Sequence, residues 1–550
     1  MEENLPASEV VLELEADFAV AEPYPESEGI LKPELVFGLA APVGTDLRAL
    51  RTALQERLDA FKYDCVHIRV SDLIKQYCEK DVREQIESAK EEERISLLMA
   101  AGDHLRDSVN RGDALVPLIV TAIRAAREKI KSKSGSTNIP ADNVCFIVDS
   151  LKHPHEVATL RGMYGDNFVL ISGFASKDHR KDRLCDAIAR SHLSTRNEDF
   201  AKQAELLIAT DAKRSGSKIG QSLRDAFPLA DFFIRVSGDF TKSLDRFLDI
   251  YFGSPYLTPY PDEYFMFEAT AKALRSSDLS RQVGAVVVDQ SNHMLSAGCN
   301  EVPMAGGGSY WPGMNGGSDN RDFAKGRDFN AVKKFEIINE LVSFLNTAGV
   351  LKLDDDISED DFSRALLFGK HKGQFKDLRV SNLIEFGRVV HAEMNAITEA
   401  ARRGVAVGGG ILYCTTFPCH MCARHIISSG IQRVVYIEPY PKSMTEELFP
   451  ETVLVDRETV SGDRTQRAGD AHPPVSFVPF EGVAPSLYTG LFRAGADARK
   501  NSQGYIVPWA RREAMPKIAS RSTYLELEQA VATEVANLKK VSKEAVQRHQ

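Results

Sequence analysis

The stretch that decides the fold runs from His391 to Cys422. It reads H-A-E-M-N-A-I at 391–397, continues through a helical pattern, and ends P-C-H-M-C at 418–422. His391, Cys419 and Cys422 offer one imidazole and two thiolates. That donor set suits Zn²⁺ with its fourth position open to water. Cys419 and Cys422 are three apart, so on a helix they share one face. Pro418 precedes them as at a helix start, and the positive end of such a helix favours thiolates. Glu393, two residues from His391, reads as a proton carrier: were it a fourth ligand, no water site would remain. An unrelated pair of buried cysteines and a surface histidine is the plain alternative.

Working outward, composition limits the possibilities. A chain of 550 residues suggests two to four domains. With 68 Lys and Arg against 78 Asp and Glu, the formal charge is −10. This speaks against a surface built for long nucleic acid, while leaving room for a local basic pocket. The eight cysteines are scattered except for the last pair, and no leader pattern is visible. Both point to a reducing, cytoplasmic setting and to metal binding over disulfides. No apolar run approaches the ~20 residues of a membrane span.

Taken in order, residues 1–30 are acidic and Pro-containing and read as a disordered tail. Residues 31–253 form the first domain. Leu35–Ala40 (L-V-F-G-L-A) is a buried strand, followed by the turn A-P-V-G-T-D at 41–46 and a helix from Leu47. Strand, glycine turn and helix make a phosphate-loop arrangement, which makes Gly44, Thr45 and Asp46 candidate nucleotide-binding residues. Against G-x-x-x-x-G-K-[ST], however, Thr45 stands at the lysine and Asp46 at the Ser/Thr. Ordinary ATP hydrolysis is therefore not expected, and a ligand-free turn is an equal alternative. Further strands are expected at Asp64–Val70, Val144–Asp149, Phe168–Ser172 and Ala230–Val236, alternating with helices, hence a parallel sheet covered on both faces. Asp149 is either a magnesium-holding acid or a plain strand end. The basic run at 176–183 is read as a solvated helix face, with a phosphate lid as the rival.

S-P-Y-L-T-P-Y-P-D-E at 254–263 marks the boundary of a second domain, 254–550. A helix to Leu274, strands at Gln282–Asp289 and His293–Asn300, the His391 helix, a strand at Gly410–Cys414, the Cys419 helix and a strand at Arg433–Ile437 give an α/β/α sandwich. An insert at 305–385 needs secondary structure of its own, or a role as a lid or an assembly surface. The C-terminal extension holds short elements and an amphipathic helix over Ser522–Lys543. His420, His425, Cys414 and Cys299 read as packing or surface residues. Asn300, after a strand end, either bonds a sugar hydroxyl or forms a turn.

H-x-E followed by P-C-x-x-C is the signature of zinc nucleobase deaminases. Together with S-S-D-L-S-R-Q-V-G-A-V-V-V-D (276–289) and G-C-N-E-V-P (298–303), it resembles the deoxycytidylate deaminase branch of the cytidine deaminase superfamily. The whole chain resembles bacterial anti-phage dCTP deaminases, with a degenerate P-loop kinase-like N-terminal domain. V-F-G-L-A-A-P-V-G-T-D-L, V-D-S-L-K-H-P-H-E-V and G-Q-S-L-R-D-A-F-P-L-A-D-F-F-I carry that likeness. The resemblance implies zinc on His391, Cys419 and Cys422, catalysis by Glu393, and contact of Asn300 with deoxyribose. It also implies deamination of free dCTP and dCMP that drains the pool during infection, a homo-oligomer, and restraint in some members by a small RNA. Three rivals stand beside it: a housekeeping dCMP deaminase supplying dUMP for thymidylate synthesis, a base deaminase acting on RNA or DNA, and a catalytically silent nucleotide sensor.

Overall fold

Every residue of Leu35–Ala40 is buried in the computed structural model, as its unbroken apolar run requires. The structure describes residues 32–131, 140–214, 222–313, 319–354, 356–375, 378–383, 385–439, 443–456, 473–495, 498–519 and 524–534. The acidic tail expected at 1–30 lies outside these residues.

The first sheet is built from β1 (Leu35–Ala40), β2 (Asp64–Arg69), β3 (Val144–Asp149), β4 (Phe168–Phe174) and β5 (Phe232–Arg235). They lie in the order β2-β3-β1-β4-β5, all parallel. Chain direction across the sheet reverses between β1 and β3, so the crevice beyond their C-terminal ends is the place where open α/β sheets take ligands. Helix Leu47–Ala60 follows β1, with the Asp46 carboxylate accepting from the Ala49 N–H at 2.9 Å as its N-cap. The charged stretch at 81–108 is broken into helices Lys80–Ser88 and Glu91–Ser108.

The second sheet comprises β6 (Gly284–Val288), β7 (Met294–Cys299), β8 (Ile411–Thr416), β9 (Arg433–Glu438), β10 (Val453–Val455) and β11 (Val475–Pro479), in the order β10-β11-β9-β8-β6-β7. β6 runs antiparallel to β7 and β8; the rest are parallel. Side chains alternate across this sheet. Val286, Val288, Tyr413 and Val435 pack towards helix Pro261–Ala273. Ala285, Val287, Leu412 and Val434 pack towards helices Ala392–Arg402 and His420–Ser428. The architecture is thus mixed α/β with two parallel-rich sheets, the second sandwiched between helices.

The two sheets share a core. The buried cluster containing Val36, Phe146 and Phe233 also contains Phe265, Val286 and Val435. Beyond β11, the two-residue strand β12 (Gly482–Val483) returns to the first sheet and pairs antiparallel with β5. Glu263, fully buried at the start of helix Pro261–Ala273, accepts two hydrogen bonds from Arg246 at 2.8 Å each and another from the Val483 N–H at 2.9 Å. Of the C-terminal helix expected over Ser522–Lys543, the described part is Leu525–Thr533. It packs on the body through Glu528, which shares the Arg127 guanidinium with Glu34 at 2.7–2.8 Å. In the insert, helices Phe329–Thr347 and Glu359–Leu367 supply the internal structure that so long a connection needs. Among the described residues, no helix is long and apolar enough to cross a membrane.

Arg127→Met leaves two buried carboxylates facing each other without a cation. It should cost about 3–5 kcal/mol, read as a lowered urea midpoint, whereas exposed Glu526→Gln should leave the midpoint unchanged.

Candidate metal centre

Two helix starts meet at one point above β8. His391 is the N-cap residue of helix Ala392–Arg402, and Cys419 that of helix His420–Ser428. The first helix can lie close against β7 because Gly298 has no side chain: a Cβ there would meet Ala392 O and Ala396 N at 2.4 Å. The Asn395 side chain pins the contact, donating to Cys299 O at 2.9 Å. Both caps are extended, so each directs its side chain into the gap between the helices.

The result brings His391, Cys419 and Cys422 together, their ligand atoms all within 4.8 Å of one another. His391 Nδ1 is 3.4 Å from Cys419 Sγ and 3.3 Å from Cys422 Sγ. The two thiols share a hydrogen bond that holds the Cys419 thiol down to about 4 and pushes that of Cys422 up. Hydrogen bonding to Cys419 raises the His391 imidazole to about 9. Glu393 is 4% exposed. Burial, reinforced by Cys419, pushes its carboxyl above the usual range, partly offset by His391. Soft sulfur donors, one imidazole and a buried acid without an ion-pair partner among the described residues suit a tetrahedral dication. His420 is not part of the group, His425 Nδ1 lies 2.8 Å from Met421 O, and Cys414 is fully buried beside Glu393.

The centre opens into a cavity of about 400 Å³, within the ~300–1,000 Å³ typical of small-ligand sites. Its walls include Glu393, His391, Cys419, Thr416, Phe417, Asn300 and Val283. The Asn300 Oδ1 accepts from the Val283 N–H at 2.7 Å, and its Nδ2 donates to Arg281 O at 2.8 Å. Its amide therefore fixes the 281–283 wall and retains one donor hydrogen and one lone pair for a ligand. Four cations reach the same cavity: Arg224, Arg281, Lys334 and Arg388. None was singled out from sequence. Arg224 belongs to the first half of the chain, and Lys334 to the insert.

Gly44, Thr45 and Asp46 lie elsewhere, at the C-terminal end of β1. Gly44 takes φ +89° with Arg180 packed against it, so a side chain is excluded twice over. Asp46 pairs with Arg183, and Asp149 with Arg51 at 2.5 Å. The basic run at 176–183 is thus only partly solvated: helix Lys177–Ser191 turns Arg180 and Arg183 inward onto the loop. Thr45 Oγ1, Arg51 Nε, Asp149 Oδ1 and Arg180 Nε are buried there without hydrogen-bond partners.

Residues 259–438 match the family model for the cytidine and deoxycytidylate deaminase zinc-binding region. Deoxycytidylate deaminase of Enterobacteria phage T2 is 48% identical over 54 residues, 10% of this chain and 29% of that one. The probable deoxycytidylate deaminase of Drosophila melanogaster is 28% identical over 176 residues, 32% of this chain and 58% of that one. A solved dCMP deaminase of cyanophage S-TIM5 aligns with 18% identity and a TM-score of 0.19, covering 35% of this chain and 94% of that one. The chain spans 28–33% of the length of the first curated relatives it matches. Its C-terminal region carries a cytidine/deoxycytidylate deaminase family domain of the zinc-binding kind, and His391, Cys419 and Cys422 could hold the metal.

Cys419→Ala should abolish stoichiometric zinc in the purified protein, while Glu393→Gln should retain it. Metal analysis by plasma emission on both proteins checks the assignment.

Proposed function

We propose that the chain is a zinc-dependent hydrolytic deaminase of free deoxycytidine nucleotides, converting dCMP and dCTP to dUMP and dUTP. The observation that carries the reading is the convergence of His391, Cys419 and Cys422 with Glu393 beside them, on the wall of a cavity of nucleotide scale. Zinc, when bound, makes water a nucleophile at neutral pH. The chain's own contribution is proton management. Glu393 accepts the proton of the attacking water and delivers one to ring N3 as C4 is attacked. It then takes the remaining proton from the hydroxyl now on C4 and hands it to the amino group, which leaves as ammonia as the C4–N bond breaks. Burial favours the protonated form of Glu393, which suits a group that must hold a proton between transfers. Asn300 and the wall it fixes meet the deoxyribose, and a backbone N–H at Ala392 or Cys419 takes the exocyclic oxygen of the product.

The net charge of −10 favours free nucleotides over polymeric substrates, whose binding rests on many phosphate contacts. Use of dCTP, depletion of the deoxycytidine nucleotide pool as an antiviral act, a homo-oligomeric state, a cytoplasmic setting and inhibition by a small RNA belong to this proposal on the strength of the resemblance. For the first half, 31–253, a nucleotide at the β1 loop is part of the same reading. The unpartnered buried atoms of Thr45, Arg51, Asp149 and Arg180 support a ligand there. The missing lysine favours binding or signalling over phosphoryl transfer.

Ammonia release measured across deoxycytidine, dCMP, dCTP and a single-stranded oligonucleotide should be confined to the free nucleotides. Zinc-loaded Glu393→Gln should lose about 10²–10⁴-fold or more in kcat; turnover at the wild-type rate would sink the assigned role. Thr45→Val and Asp46→Asn should alter control or assembly, seen in nucleotide response and sedimentation, with chemistry at the zinc centre intact. Loss of dCMP turnover in these variants, with fold and zinc retained, would show that the labour is divided otherwise.

A further inference from the structure

The phosphate end of the pocket can be located by asking which of its charges are already spent. Among the acids on the wall, the Asp278 carboxylate accepts from the Ser280 N–H at 2.8 Å, and Asp328 caps helix Phe329–Thr347 through the Ala331 N–H at 3.0 Å. Asp322 pairs with Arg388 at 2.7 Å, and Arg388 also lies over the Phe329 ring. Arg281 is exposed and faces Glu438 at 3.5 Å. Two cations remain. Lys334 reaches only the carbonyl of Ser381, at 3.5 Å, and Arg224 has no hydrogen-bond or ion-pair partner among the described residues. Both are half-buried. A half-buried guanidinium with no anion beside it is poorly compensated, and a phosphate would supply both charge and a bidentate acceptor.

Arg224 is held where it is by the first half of the chain. It sits on the single turn Leu223–Ala226, whose Leu223 and Ala226 are buried in the core shared by the two sheets. The Ser222 N–H donates to Lys152 O at 2.9 Å, and Ser222 Oγ donates to Asp225 at 2.5 Å. Phe227, just after the turn, packs against Phe174 and Phe233. Arg224 lies outside residues 259–438, the part that matches the deaminase family. The pocket is therefore completed by a residue that the deaminase region does not contain.

We propose that Arg224 binds the phosphate group of the cytosine nucleotide, with Lys334 from the insert as its companion, and so makes the first half of the chain part of the substrate site. This rests on the deaminase reading above. A free nucleotide is the ligand such a pocket selects, because one cavity is lined both by Glu393 with the metal ligands His391 and Cys419, which suit the base, and by unpaired cations, which suit the phosphate.

The test uses the full-length, zinc-loaded protein and steady-state kinetics with dCMP and dCTP. Arg224→Gln should raise KM about tenfold or more, as loss of one charge-assisted hydrogen bond does, with kcat within about twofold. Arg224→Lys should recover part of that loss. Exposed Arg196→Gln, from the same half, should leave both parameters unchanged. An unaltered KM in folded, zinc-loaded Arg224→Gln overturns the assignment while the deaminase reading stands. A loss confined to kcat also overturns it. Wild-type protein that releases no ammonia from either nucleotide removes the deaminase reading, and this inference with it.

Discussion

Burial of like charge at one point sets the terms for the second sheet. Cys419, Cys422 and Glu393 bring two sulfurs and a carboxylate into the same dry space, opposed by the His391 imidazole. Isolated ions are costly in such surroundings. The raised carboxyl of Glu393 is the local symptom of that cost, while the Cys422 thiol is raised first by its hydrogen bond with Cys419 and then by burial. A dication answers it directly, since thiolates bound to metal stay deprotonated without repelling one another. Everything that aims these groups serves that end: the two capped helix starts, the missing side chain at Gly298, and the Asn395 tether to β7.

The same economy operates where the sheets join. Arg127 between Glu34 and Glu528, and Arg246 on Glu263, are buried ion pairs that hold segments far apart in sequence. Such pairs add little net stability but penalise misalignment heavily, because a displaced partner leaves a buried charge alone. They fix the C-terminal helix and strand β12 against the first half.

Much of this was legible in the sequence, for a physical reason. β1 and β3 are buried throughout and apolar but for the closing Asp149, so Leu35–Ala40 and Val144–Asp149 were readable to the residue. The grouping of His391, Cys419 and Cys422 was readable because ligand spacing on helices is itself a local pattern. What escaped is what depends on distance in the chain. Arg224 sits in a short, mostly apolar passage with no pattern that marks a site, and reaches the pocket only through tertiary packing. β12 is two residues long and carries no periodicity. Helix Pro154–Tyr164 could have been found: Pro154 at its first turn and Glu156 bonding back to the His153 N–H form a capping box, obscured by a histidine in the cap position. Asn300 was noticed, yet sequence could not tell that its amide already holds the backbone at 281 and 283.

The continuous core that runs from Val36 through Phe233 to Val435 bears on how the molecule can be inherited as well as how it folds. Independent modules meet across polar surfaces and can be exchanged by recombination at a linker. Here a cut near residue 254 would strip apolar side chains from both products and strand Glu263 without its arginine. The two halves are bound to drift together, each substitution at the seam constraining the next.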